Sequence, residues 1–168
     1  MNTSAPAQIV DIYLEPGEFY FGEGRARLTT LLGSCVAITL WHPRYHVGGM
    51  CHFMLPGRAR DPRAPLNGKY ADEAMEMFQR ETARCGTRIS DYQIKLFGGG
   101  SVLEVPERLA QVEHVAQQNV QAARQLMMQH GLNAKAESLG GIGYRKIIFE
   151  LWSGDVWSRF VSNVSPAK

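Results

Sequence analysis

Short stretches of the chain alternate apolar and polar positions with a period of two, and two longer stretches repeat apolar positions at helical spacing. Residues 9–14, 27–31, 36–41 and 47–55 are rich in β-branched and aromatic side chains and predict strands. Residues 42–46, His-Pro-Arg-Tyr-His, predict the loop of a hairpin, because a proline interrupts strand pairing. Residues 57–65 hold two prolines and three arginines and break regular structure. Residues 70–84 predict a helix with Ala71, Met75 and Phe78 on its apolar side, closed at Cys85-Gly86. A strand at 92–97 runs into Gly98-Gly99-Gly100. A second helix covers 109–130, with Val112, Val115, Ala116, Val120, Ala123 and Met127 along one face. Strands at 133–139, 145–152 and 156–161 follow, the last two joined by a tight turn at Ser153-Gly154-Asp155. Two long helices among about seven strands, with hairpins early and late, predict an α+β fold. The expected form is a layered α/β sandwich with mixed or antiparallel sheets.

The length, 168 residues, suits a single domain spanning 1–168 with short flexible termini. Hydrophobic residues at 45% and charged residues at 20% describe a globular chain rather than a disordered one. A net charge of +2 with no concentrated basic stripe argues against nucleic-acid binding. No apolar run approaches the roughly 18 residues that span a bilayer, so membrane insertion is not expected. The first residues carry no basic segment followed by an apolar core, and three cysteines cannot all pair within one chain. Both features point to a reducing cytoplasm and free thiols.

A free thiol admits nucleophilic chemistry, and Cys35 is the best placed of the three. It follows Gly33-Ser34 at the junction of two apolar strands, where glycine lets the backbone turn sharply and a substrate approach. Backbone N–H groups at Ser34 and Cys35 would be free to hold an oxyanion. The thiol needs a base, because near neutral pH only a few per cent is thiolate. If the hairpin loop is residues 42–45, Trp41 faces His46 and Cys35 faces His52. A five-residue loop slips the register by one and puts Cys35 opposite Phe53. Cys51 should face away from His52, since successive strand side chains point to opposite faces. Cys85 ends a helix, where the dipole disfavours a thiolate. Thr29, on the approaching strand, could orient His52 or could serve β-propensity alone.

These residues resemble the CheD family of chemoreceptor glutamine deamidases. The likeness begins at Thr29, runs through Leu32-Gly33-Ser34-Cys35-Val36-Ala37, and continues with Gly49-Met50-Cys51-His52-Phe53-Met54-Leu55-Pro56. Lys69-Tyr70-Ala71-Asp72-Glu73-Ala74, Lys95-Leu96-Phe97-Gly98-Gly99-Gly100 and Leu139-Gly140-Gly141 resemble further family segments. Two stretches depart from the family pattern: Tyr144-Arg145-Lys146, where Gly-Arg-Lys is usual, and Ala116-Gln117-Gln118 before Asn119. The resemblance implies a catalytic triad of Cys35, His52 and Thr29, and an α/β sandwich similar to the deamidating cytotoxic necrotizing factor toxins. It implies hydrolysis of glutamine side chains in the cytoplasmic helices of chemoreceptors, with release of ammonia. A chemotaxis phosphatase of the CheC type is the further partner it implies.

No metal or organic cofactor is required by that chemistry. A zinc site would draw on His42, His46, Cys51 and His52, but strand alternation separates the last two. The glycines at 98–100 lack a following Gly-Lys-Ser/Thr, so they do not form a phosphate loop. Arg58, Arg60 and Arg63 could meet acidic residues on a receptor helix bundle. Two competing readings are an adaptor that binds the phosphatase without catalysis, and a cysteine hydrolase with another amide or ester substrate.

Overall fold

A computed structural model of the chain describes residues 4–101 and 110–162, residues 110–113 by backbone alone. The expected flexible ends, at 1–3 and 163–168, and the helix start at Leu109 lie outside the described residues. Among the described residues, nine strands and two helices run in the order β1 (Val10–Tyr13), β2 (Phe19–Glu23), β3 (Ala26–Leu32), β4 (Val36–Trp41), β5 (Val47–Phe53), α1 (Ala71–Arg84), β6 (Gln93–Gly98), α2 (Ala110–Gln129), β7 (Ala134–Leu139), β8 (Gly143–Glu150) and β9 (Val156–Ser162). A short 3-10 turn at Ile89–Asp91 precedes β6.

The strands form two sheets, β1-β3-β8-β9 and β2-β5-β4-β6-β7. Both are mixed, with β1–β3 and β6–β7 parallel and the other pairs antiparallel. One apolar layer lies between the sheets and contains Leu14, Leu28, Leu32, Ala37, Met50, Phe97 and Phe149. A second lies between the five-stranded sheet and the helices and contains Val36, Ile38, Cys51, Phe53, Met75, Phe78 and Met127. The result is the expected α+β layered sandwich. Strands β4 and β5 are buried on both faces because they lie at the middle of this stack. Such strands read as continuous apolar runs rather than alternating ones.

Helix α1 buries the expected side, Ala71, Ala74, Met75 and Phe78, against the sheet. Burying a side chain the size of Phe78 contributes about 1.5–3 kcal/mol. Strand β2 has no counterpart in the sequence-based expectation. It lies between a turn at Gly17 and Gly24, and its Phe19 and Phe21 pack on the helix-side layer while Tyr20 packs between the sheets.

The turn joining β4 and β5 determines how the two strands align. Tyr45 and Arg44 donate their N–H groups to His42 Nδ1 at 3.3 and 3.2 Å, and His46 adopts φ 52°. His42 thus acts as a local backbone cap, and six residues separate the paired Trp41 and Gly48 instead of the four or five expected. Trp41 pairs with Gly48 rather than His46, and Ala37, not Cys35, faces His52.

Candidate active site

The register is two residues away from the expected one, and two residues are a full period of a strand. A slip of one would have reversed every side chain, while a slip of two preserves which face each occupies. Cys35 therefore remains on the same face as His52, as a diagonal rather than a direct neighbour. Diagonal positions are roughly 7–8 Å apart, with their β-carbons closer, a separation that a long side chain spans. Cys35 packs against the layer between the sheets, as does Ala37, whereas Val36 belongs to the helix-side layer. Cys51 also belongs to the helix-side layer, fully buried and turned away from His52.

His52 reaches from β5 towards the four-stranded sheet. Its Nδ1 lies 2.7 Å from the hydroxyl of Thr30, and that hydroxyl lies 2.7 Å from the carbonyl of Leu14. The hydroxyl has one proton and the carbonyl can only accept, so the proton points to Leu14. Nδ1 must then carry a hydrogen and donate it to the Thr30 oxygen. This leaves Nε2 as the unprotonated nitrogen. It is buried and has no hydrogen-bond partner among the described residues. Burial holds the imidazole down to about pKa 4, although the Leu14 carbonyl and the charge of Glu18 pull the other way. His52 is a neutral imidazole of fixed tautomer with its lone pair free.

The hydroxyl at Nδ1 thus belongs to Thr30, not to Thr29. Leu28, Thr30 and Leu32 are the inward positions of β3, and Thr29 faces the other way. The Thr29 carbonyl is also engaged, accepting the N–H of Leu14 at 2.9 Å.

Cys35 sits in the link between β3 and β4, half-buried, its thiol pushed up from its ordinary pKa by burial and partly offset by a hydrogen bond from the Ser34 side chain. The link is tied down through its carbonyls. Gly100 donates its N–H to Gly33 at 2.9 Å, Gly99 donates to Cys35 at 2.8 Å, and Asn119 Nδ2 donates to Ser34 at 3.0 Å. Among the described residues, the N–H groups of Ser34 and Cys35 donate to no backbone carbonyl. The three glycines at 98–100 are therefore a strap across the cysteine link. Glycine is required there: Gly98 and Gly99 have φ 117° and 64°, and a β-carbon would strike the Cys35 carbonyl or the Val120 side chain. Arg145 braces the strap from β8. It is almost fully buried, donates to Gly98 at 3.3 Å and to Ser138 at 3.0 Å, and lies over the Phe160 ring.

Other residues singled out by sequence fall elsewhere. His42 caps its own loop, and His46 stacks on Trp41. Arg58, though exposed, and the partly buried Arg60 reach towards α1. Arg58 pairs with the buried Glu73 at 2.8 Å, and Arg60 with Glu76 at 3.4 Å. The Arg58 hydrogen bond holds the Glu73 carboxyl below the usual carboxylate range. Arg63 pairs with Asp61 at 3.2 Å. The first two pairs tie the loop to α1, while Arg63 pairs within the loop and stays exposed. Among the described residues, no helix is long and apolar enough to cross a membrane.

The chain matches the family model described as CheD chemotactic sensory transduction over residues 54–160. A relative from Dechloromonas aromatica (strain RCB), named "Probable chemoreceptor glutamine deamidase CheD 3", is 47% identical over 158 residues, 94% of this chain and 92% of its own. One from Pseudomonas savastanoi pv. phaseolicola, named "Probable chemoreceptor glutamine deamidase CheD", is 52% identical over 159 residues, 95% of this chain and 88% of its own. A more distant one from Leptospira interrogans, named "Probable chemoreceptor glutamine deamidase CheD 1", is 39% identical over 158 residues, 90% of this chain and 93% of its own. These relatives cover almost the whole chain, including the link from Thr29 to His52 that precedes the matched span of the family model, and the chain belongs to the CheD family.

Proposed function

We propose that this chain is a protein-glutamine deamidase of chemoreceptors, a single catalytic domain that converts glutamine side chains in their cytoplasmic portion to glutamate and ammonia. The observation that carries this reading is the free, buried Nε2 of His52, locked by Thr30 and set on the same face as Cys35. An adaptor would have no use for an imidazole kept neutral at a desolvation cost. The names of the relatives supply the substrate class.

His52 Nε2 takes the Cys35 proton as sulfur attacks the carboxamide carbon. The oxyanion so formed lies against the N–H groups of Ser34 and Cys35. The imidazolium returns its proton to the amide nitrogen, the carbon–nitrogen bond breaks, and ammonia leaves a thioester. Water, deprotonated by His52, attacks the thioester, and glutamate departs as the thiol is restored. Only side chains, backbone and water take part.

Both partners start uncharged, since burial disfavours thiolate and imidazolium alike. The base is lost only when His52 gains a proton. The acid limb of kcat/KM is therefore expected near pH 4 instead of at the ordinary imidazole value of 6.5. A pH–rate profile of the receptor reaction checks this; a limb at the ordinary value would mean an exposed imidazole.

Incubation with a chemoreceptor cytoplasmic fragment, followed by peptide mass spectrometry and an ammonia assay, tests the activity itself. Site-specific conversion of glutamine to glutamate with matching ammonia release supports the reading. Intact glutamines across several receptors would reject it.

A further inference from the structure

The cysteine link is held from behind by a residue that the mechanism does not use. Asn119 in α2 is fully buried, and its Nδ2 donates to the Ser34 carbonyl at 3.0 Å and to the Met54 carbonyl at 2.8 Å. One amide nitrogen thus joins the cysteine link to the segment just after His52. Both acceptors are carbonyls, so the amide can face only one way. Its Oδ1 is left buried with no partner among the described residues. An unpaired buried oxygen carries its desolvation cost uncompensated. An apolar side chain of the same size would avoid that cost, so packing alone does not account for an asparagine at this position.

We propose that Asn119 is a positioning residue that aims the oxyanion donors of Cys35 chemistry. This rests on the deamidase reading above. The peptide bonds of the described residues are trans. In a trans peptide the carbonyl and the following N–H lie in one plane and point in opposite directions. Gripping the Ser34 carbonyl therefore sets where the Cys35 N–H points. The Gly100 N–H grips the Gly33 carbonyl and sets the Ser34 N–H in the same way. Each oxyanion donor is fixed through the back of its own peptide, one by helix α2 and the other by the glycine strap. Preorganised donors need no reorientation as the oxyanion forms, which is the source of their catalytic value.

Two reactions of the same sulfur separate this role from a structural one. Alkylation by iodoacetamide forms a carbon–sulfur bond as iodide leaves, with the thiol proton passing to His52, and creates no oxyanion. Acylation by p-nitrophenyl acetate passes through a tetrahedral oxyanion before p-nitrophenolate leaves. Both rates are measured at Cys35 by peptide mapping, in the full-length chain and in Asn119→Leu and Asn119→Ser variants. Asn119→Leu is expected to slow acylation by about 10²-fold, the scale of one lost oxyanion donor, with alkylation unchanged. Asn119→Ser, one atom too short to hold both carbonyls, should likewise slow acylation with alkylation unchanged. Alkylation and acylation declining together in both variants would show a merely structural residue and overturn the proposal. Acylation unchanged in both would overturn it equally. Wild-type protein that leaves receptor glutamines intact would reject the deamidase reading separately, because the ratio of the two Cys35 reactions does not depend on the natural substrate.

Discussion

Cys35→Ala is expected to lower receptor deamidation by roughly 10⁴-fold or more, the scale seen when a covalent nucleophile is removed. Cys51→Ala is expected to retain most of the activity. The two cysteines flank the same strand pair yet occupy different layers. Cys35 is half-buried against the layer between the sheets, in a link where the N–H groups of Ser34 and Cys35 have no backbone partner among the described residues. Cys51 is sealed between the five-stranded sheet and the helices, where burial pushes its thiol up to about 12. At neutral pH such a thiol supplies no thiolate, and His52, the next residue of β5, points to the opposite face. Its replacement removes one buried sulfur, and the expected penalty is a lower Tm rather than lower kcat. Initial rates of glutamate formation, paired with thermal melts, distinguish these outcomes. Activity that depends on Cys51 would place the nucleophile in the wrong layer for His52.

Thr30→Val is expected to cost about 10²-fold or more in kcat, while Thr29→Val should leave kcat nearly unchanged. The valine has the shape of threonine but offers no oxygen to Nδ1. His52 then loses the partner that holds its proton on Nδ1, and the Leu14 carbonyl loses the hydroxyl proton it accepts. A buried group left unpaired costs about 1–3 kcal/mol, so Tm should fall as well. Where the wrong tautomer of a catalytic histidine has been forced in a serine protease triad, the loss reaches about 10⁴, which sets the upper end of the expectation. Thr30→Ser keeps the oxygen and should restore most of the rate, which a purely packing role for the methyl group would not predict. Comparing kcat for the three variants decides between the threonines. An equal loss at Thr29 would show that the inward face of β3 has been misassigned.

The faces of the strands were more legible in the sequence than their registers. Alternation alone separates Cys51 from His52, because successive side chains of one strand point to opposite faces whatever its register. The direct pairing of Cys35 with His52 did not survive, because loop length depends on a histidine side chain capping its own turn. A five-residue aromatic strand, β2, went unread beside its stronger neighbours, although Phe19 and Phe21 alternate with Tyr20.

The resemblance implies Thr29, whereas the hydroxyl beside His52 Nδ1 is that of Thr30. The alternation of Leu28, Thr30 and Leu32 contained the correction, since two leucines mark the buried face on which Thr30 falls. Asn119 carried a comparable signal. It lies three residues after Ala116 and four before Ala123, within the buried stripe of α2, so a polar side chain there had to find partners inside the fold. Which partners it would find depended on a cysteine link far away in sequence, and only the folded arrangement supplies that. The arginine loop shows the opposite limit. Sequence alone does not show that Arg58 and Arg60 find Glu73 and Glu76 on α1, while Arg63 pairs within its own loop.

The central claim is a thioester between Cys35 and the substrate glutamine. Hydroxylamine added during turnover competes with water for such an intermediate without requiring it to accumulate. The account predicts a hydroxamate at the same receptor glutamines that otherwise become glutamate, rising with hydroxylamine, retained in Cys51→Ala and absent in Cys35→Ala. Glutamate as the sole product at every hydroxylamine concentration, or hydroxamate formed by Cys35→Ala, would contradict it.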